Sequence, residues 1–302
     1  MSVTQPKISV IIPVHNRIAL TRKCLKSLME QTYKQFVVIV VDDGSADGTS
    51  GTIEKEFGWV TVLRVDGDLW WAGATNLGIQ KTLETANVDD YVLTLNNDTV
   101  CPPTYLLELV RCAEENPMSL IGSTSLNDQN RTEIVEAGVR INYLTAKYEA
   151  LRSNTIYTEL LKSGDPIQNV DALPGRGTLI PISVFKEVGI FDADQLPQYG
   201  ADYEFSVRAK RNGYRLLVSH KAFLFSSVRT TGMNNQYAPL PWRKLASSFF
   251  SIRSPYSIRY RWNFARLICP MWLLPFFFLC DMGRLILGSL VNQFRTKRKK
   301  GE

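Results

Sequence analysis

Three apolar runs in the first hundred residues end abruptly in side chains that carry oxygen or nitrogen, and helix-spaced segments separate them. The runs are Lys7–Val14 (KISVIIPV), Phe36–Val41 (FVVIVV) and Tyr91–Leu95, followed by His15-Asn16-Arg17, Asp42-Asp43-Gly44-Ser45 and Asn96-Asn97-Asp98. Nearly continuous β-branched residues such as FVVIVV suit a strand buried on both faces of a parallel sheet. Between them, Leu20, Cys24, Leu25 and Leu28 fall at helical spacing within Ile18–Gln31, with Asn16 as a candidate cap, and Thr49–Phe57 and Thr75–Ala86 read as further helices. With Val60–Val65 as another strand, the alternation predicts a doubly wound, mostly parallel α/β sheet.

Later segments extend the pattern. Pro103–Glu115, Pro181–Val188 (Pro181 at the first helical position) and Asp202–Asn212 read as helices; Ser119–Leu126, Tyr214–Val218 and Ala222–Ser227 read as strands. Residues 131–157 mix β-like pieces with polar turns, and Pro174-Gly175-Arg176-Gly177-Thr178 reads as a loop where backbone can approach a ligand closely.

Ligands of open α/β sheets gather outside the carboxyl ends of strands, which places Asn96, Asn97 and Asp98 where chemistry is expected. A carboxylate beside phosphate oxygens suits a hard cation, Mg²⁺ or Mn²⁺. The same residues also favour ordinary turns, so this stretch alone leaves both readings open.

Composition narrows the class. At 45% hydrophobic and 21% charged, the 302 residues exclude wholesale disorder and suffice for one large domain with an appendage. Five scattered cysteines, with no CxxC pair, argue against a zinc site or disulfide framework and for a reducing compartment. The opening MSVTQPKISV shows no secretory pattern. The net charge of +6 is uneven: Pro241–Glu302 carries twelve Lys or Arg against Asp281 and Glu302, leaving the rest slightly acidic. That tail interleaves aromatics with arginines over residues 247–266, then runs uncharged from Leu267 to Cys280. A membrane span needs about 20 apolar residues, and bridging to Val291 would bury Asp281 and Arg284 in hydrocarbon. Helices lying in a membrane interface, held by aromatics and basic residues against anionic lipid, fit better; nucleic acid is not an expected partner. The expected division is a catalytic domain over 1–238 and a basic, aromatic, membrane-associating helical tail over 239–302.

Four stretches together resemble the inverting family-2 glycosyltransferases of the GT-A fold: VIIPVHNR with VVDDGSADGT, WWAGATNLGI, LNND ending at Asp98, and FDADQLPQYGADYEFSVRAKRNGY from Phe191 to Tyr214. The nearest flavour is that of bacterial enzymes building envelope polysaccharides. The resemblance implies a nucleoside diphosphate sugar donor and a glycan or lipid-linked acceptor at the cytoplasmic face of the inner membrane, with the protein peripheral or monotopic. It implies that Pro13, His15 and Asn16 line the nucleotide pocket and that Asp43 accepts from a pyrimidine imide N–H. It places Gly73 and Asn76 near the nucleotide and diphosphate, and Asn96 and Asn97 beside Asp98, the metal carboxylate. Asp202 is implied as general base, with Glu204 as fallback, although Asp202 could also be a helix cap. Arg176 could reach phosphate or acceptor. The sequence departs from the family where Asn96 replaces the first acid of its DxD, where Ala201 replaces a Glu, and where Ser226 stands near the usual late histidine. His220, six residues earlier, reads as a turn or surface residue. Two rivals stay open: a nucleotidyltransferase on a similar sheet, and a non-catalytic membrane-bound relative.

Overall fold

The computed structural model describes residues 5–162, 167–227, 247–251 and 254–299. The first half runs β1 (Ile8–Val14), α1 (Ile18–Met29), β2 (Phe36–Asp43), α2 (Thr49–Glu56), β3 (Val60–Val65), α3 (Trp70–Leu83), β4 (Tyr91–Thr94), β5 (Thr99–Val100), α4 (Tyr105–Glu115) and β6 (Ser119–Asn127). There follow β7 (Ile134–Glu136), β8 (Val139–Asn142), β9 (Lys147–Ala150), α5 (Tyr157–Lys162), β10 (Ile167–Asn169), β11 (Thr178–Pro181), α6 (Ile182–Val188), α7 (Ala201–Arg211) and β12 (Arg215–Ser226). The carboxyl-terminal region adds α8 (Ile258–Ile268) and α9 (Leu274–Lys299).

The main sheet is ordered β10-β12-β6-β11-β4-β1-β2-β3, with β5 on β12 and β7 on β6. Along that path β3, β2, β1, β4, β6 and β12 share one direction, whereas β11 and β10 oppose it. The architecture is the mostly parallel α/β sheet expected. Among the strands the sequence reading did not foresee, with β5 and β10, is the antiparallel β11. Its reversal carries Pro174–Gly177, which precede it, to the edge where the parallel strands end.

Strand residues alternate between two cores, as a period of two requires. Ile8, Val10, Ile12 and Val14 pack with Cys24, Leu28 and Leu109 on one face. Ile11 and Val92 pack with Ile79, Phe205 and Tyr214 on the other. The buried side of the tail joins this second core through Phe264, Ala265, Ile268, Leu273, Leu274 and Phe277. The expected boundary at residue 238 lies outside the described residues.

Two local expectations change, each for a long-range reason. Asn16 does not cap α1; its side chain accepts from the Ala46 N–H at 3.0 Å, while the Ile18 N–H donates to Asp47 Oδ2 at 3.1 Å. Helix α3 starts at Trp70 instead of Thr75, because the distant Asp43 carboxylate accepts the N–H groups of Leu69 and Trp70 at 3.1 and 2.8 Å. Those donors would otherwise be orphaned at the helix start.

The charges that interrupt the apolar tail also find partners. Asp281 and Arg261 are both nearly fully buried, and Arg261 Nη1 donates to both Asp281 carboxylate oxygens at 2.8 Å, joining α8 to α9. Arg284 donates to the Ala146 carbonyl between β8 and β9. These groups face protein. Among the described residues, no helix is long and apolar enough to cross a membrane.

Candidate active site

At the carboxyl ends of β1 and β2, two turns interlock. His15 Nδ1 donates to the Asp43 carbonyl at 2.6 Å, and the Asn16 N–H donates to Ser45 Oγ at 2.6 Å. The backbone pays here in conformation: Asn16, Arg17, Asp68 and Trp70 all have positive φ, between 58° and 72°. Non-glycine residues hold such angles only where surrounding contacts impose them, and functional sites concentrate them. Asp43 is buried and its two oxygens hold the Leu69–Trp70 turn, so its observed partners are backbone.

Trp71 ties this half to the next. Its Nε1 donates to Asn96 Oδ1 at 3.1 Å, and its ring meets Phe191 edge-on at 5.3 Å. A Cβ on Gly175 would lie 2.1 Å from Trp71 Cζ2, so the indole rests directly on the Gly175 backbone. The Gly175 N–H in turn donates to Asp202 Oδ2 at 2.7 Å. A continuous path of contacts therefore runs from Asn96, at the end of β4, through Trp71 and Gly175 to Asp202, at the start of α7.

Arg176 lies alongside that path, buried. It donates through Nη2 to Glu136 Oε2 at 3.0 Å and through Nη1 to Ser226 Oγ at 3.2 Å, while its buried Nε has no partner. Tyr203 closes the cluster by donating to Glu136 Oε1 at 3.3 Å. Ser226 sits opposite Thr99 in register, one residue after Asp98. The guanidinium thus stands between the strand ends that carry Asp98 and the helix that carries Asp202.

Asp202 accepts from Gly175 and, at 3.0 Å, from the Tyr203 N–H, leaving lone pairs on both oxygens. Burial pushes its carboxyl above its ordinary value, outweighing the downward pull of these donors and of Arg176. Burial likewise raises Glu136, with Arg176 opposing.

Several expected ligands are otherwise employed. Glu204 is buried and chelates Arg208 through Nε at 2.7 Å and Nη2 at 2.9 Å, so it clamps α7 and is not a free base. Asn76 is buried and exchanges two hydrogen bonds with the Phe191 backbone, at 2.8 and 3.0 Å. Asn97 is buried and donates to Thr21 Oγ1 at 3.1 Å. Gly73 faces the Leu69 side chain at 3.3 Å. The Pro174–Thr178 loop, read as open backbone, is wholly buried; its glycines serve close packing. His220 is buried, not superficial, with Nδ1 3.2 Å from Thr124 Oγ1.

Two family models match the chain. The model described as "Glycosyl transferase family 2" matches residues 9–165, just over half of the protein, and "Glycosyl transferase family group 2" matches 91–287. The chain belongs to glycosyl transferase family 2. Among curated relatives of this family 2 protein, the glycosyltransferase AglE of Haloferax volcanii is 26% identical over 226 residues, covering 73% of this chain and 66% of AglE. Glycosyltransferase GlyA of Streptococcus pneumoniae is 55% identical over 51 residues, 17% of this chain and 7% of GlyA. The Campylobacter jejuni "GalNAc(5)-diNAcBac-PP-undecaprenol beta-1,3-glucosyltransferase" is 43% identical over 50 residues, 17% of this chain and 16% of that protein. The chain spans less than two-thirds of the length of each of these relatives. Among solved structures, GalNAc-T7 with UDP, GalNAc and Mn²⁺ superposes with TM-score 0.63 at 16% identity, over 88% of this chain and 48% of that one. S. aureus TarS superposes with TM-score 0.56 at 15% identity, over 98% and 92%. At these identities the likeness is one of fold, and the fold is GT-A-like.

The donor set of this family 2 protein can be weighed against a divalent ion. Among the described residues no three His, Cys, Asp or Glu side chains gather as a metal cluster. Asn96 is occupied by Trp71, and Ser226 by Arg176. One carboxylate, Asp98, suits a hard cation that takes most of its oxygens from water and a bound diphosphate. Sequence reasoning missed Glu136 and Tyr203. The signal for Glu136 was present: in Ile134-Val135-Glu136 the acid shares the buried phase of a strand with Ile134.

Proposed function

We propose that this protein transfers a sugar from a nucleoside diphosphate sugar to a glycan acceptor by a single, inverting displacement, with Asp202 as general base. The observation that carries this reading is the Asp202 carboxylate itself. It is oriented by two backbone N–H groups and raised by burial toward the pH at which a base works best. The acceptor hydroxyl oxygen forms a bond to the anomeric carbon while the bond from that carbon to the diphosphate oxygen breaks. The hydroxyl proton passes to Asp202, and the nucleoside diphosphate leaves with the electron pair.

The other residues orient and bind. Pro13, His15, Asn16 and Asp43 frame the donor's nucleotide end, at turns already locked together. Asp98 would hold a Mg²⁺ or Mn²⁺ ion shared with the diphosphate; when bound, such an ion neutralises charge on the leaving group. Arg176, fixed by Glu136 and Ser226, supplies a permanent positive charge between the two reacting sides. The fold likeness to GalNAc-T7 and the family match support donor binding at this edge. A lipid-linked acceptor in envelope polysaccharide synthesis is consistent with the short match to the Campylobacter enzyme, whose name specifies an undecaprenol-linked substrate.

The test is a screen of nucleotide sugars with Mn²⁺, followed by NMR of the product. The expected result is release of nucleoside diphosphate and a product anomer opposite to the donor's. Release of pyrophosphate, or retention of configuration, would refute the proposal.

A further inference from the structure

Helix α9 is apolar on two faces, and the protein covers one of them. Leu274, Phe277, Asp281, Leu285 and Ser289 recur at helical spacing and are buried against the body. On the other side Phe276, Leu279, Ile286, Leu287 and Val291 are exposed, Leu279 by 69% and Leu287 by 63%. The turn before the helix adds Met271 at 73% and Trp272 at 79%, and α8 adds the half-exposed Trp262, whose ring meets Phe278 edge-on at 5.1 Å. A contiguous apolar face of this kind marks an interaction surface.

The charge around it identifies the partner. Asp281 is the sole acid among the described residues from 247 onward, and it is spent on Arg261 inside the protein. Arg259 and Arg266 are exposed, and α9 ends in Arg295-Thr296-Lys297-Arg298-Lys299. A face with apolar and aromatic side chains and no unpaired acid complements an anionic lipid surface, at whose interface tryptophan is favoured. A second copy would bring two basic faces together, which like charge opposes.

We propose that the face formed by Trp262, Met271, Trp272, Phe276, Leu279 and Leu287 seats in the plane of an anionic membrane and holds the Asp202 end of α7 near the lipid surface. The second part rests on the function proposed above. Its structural basis is α8, which bears part of the face and also walls the base. The rings of Tyr260 and Phe264 lie at 3.0 and 2.9 Å from where a Gly200 Cβ would stand, two residues before Asp202. Tyr260 also meets Tyr199, at 5.9 Å between ring centres, and Asn263 donates to the Gln195 carbonyl at 3.1 Å. Arg211, on the last turn of α7, donates to the carbonyls of Leu267 and Ile268 at the end of α8. The two helices are joined at both ends, so a lipid-borne acceptor arriving beside α8 arrives beside the base.

The test is sedimentation of the full chain with vesicles of phosphatidylcholine alone and of phosphatidylcholine with phosphatidylglycerol, for the wild type and for W272D/L279D. Both substituted side chains are exposed, so the thermal midpoint should hold. The expected result is binding to the anionic vesicles that falls at least about tenfold in the double variant and at high salt. Donor hydrolysis measured without vesicles should be unchanged, which keeps this test separate from the sugar-transfer reading. Equal binding of variant and wild type, or no preference for anionic vesicles, would overturn the proposal. So would a wild-type dimer that the double variant converts to monomer without any vesicle binding.

Discussion

The two halves of the site are built by different means. On the side proposed to take the donor, around His15, Asn16 and Asp43, short turns at neighbouring strand ends hold one another through main-chain groups. On the side proposed to face the acceptor, side chains far apart in sequence converge: buried Glu136, Arg176 and Ser226 with the partly buried Tyr203, and Trp71 and Gly175 leading to Asp202. The difference implies that damage to the first half should appear mainly as weaker donor binding. Damage to the second should appear as lost turnover or lost stability.

The largest expected effect is Asp202→Asn. It keeps the shape and one of the two backbone N–H contacts, since the amide has a single accepting oxygen, but removes the proton acceptor, and should lower the transfer rate by about 10²–10⁴-fold, with donor affinity by calorimetry nearly unchanged. Because one N–H loses its acceptor, the variant should melt below the wild type at low pH, and the gap should narrow as pH rises. A carboxyl raised in the folded state loses stability as pH climbs from its unfolded value through its folded one, and Asn carries no such cost. Weaker donor binding in this variant would blur the division between the halves.

Next comes the buried pair. Arg176→Met should destabilise by about 3–5 kcal/mol, because it removes the cation beside the buried Glu136 and leaves it the Tyr203 hydroxyl. Adding Glu136→Leu should recover much of that stability in denaturant unfolding without restoring turnover. Recovery of both would make the pair structural only. Gly175→Ala sets a Cβ against Trp71 and should cost about 1–3 kcal/mol, with kcat falling more than KM rises. The smallest effect belongs to the donor side: Asn16→Ala frees one exposed-side contact to Ala46 and should raise donor KM by about fivefold, roughly 1 kcal/mol, with kcat preserved.

The same contrast explains what could be read from the chain before its structure. The parallel strands are legible because each is a continuous apolar run, and the donor turns lie directly after them in sequence. The proposal of Asp202 as base came through the resemblance of its surroundings, and the structure adds its contacts with Gly175 and Tyr203. The acceptor side was not legible as a unit, since β11 inserts antiparallel and carries Arg176 to an edge that no local pattern specifies. The partners of Glu204, Asn76 and Asn97 were not legible for a related reason. Their types suit ligand binding, but each is satisfied by a partner fixed only in the folded chain: Arg208, the Phe191 backbone and Thr21. Asp281 and Arg284, which interrupt the apolar tail in sequence, find partners only in the folded chain: Arg261 across α8 and α9, and the Ala146 carbonyl.

The most direct test of the central claim is the pH dependence of single-turnover transfer, wild type against Asp202→Asn. The wild-type rate should rise with pH through the upward-shifted titration of the Asp202 carboxyl and then level off, and the variant should lack that limb altogether. An identical rising limb in the variant, or turnover near the wild-type rate, would contradict the assignment of Asp202 as the base.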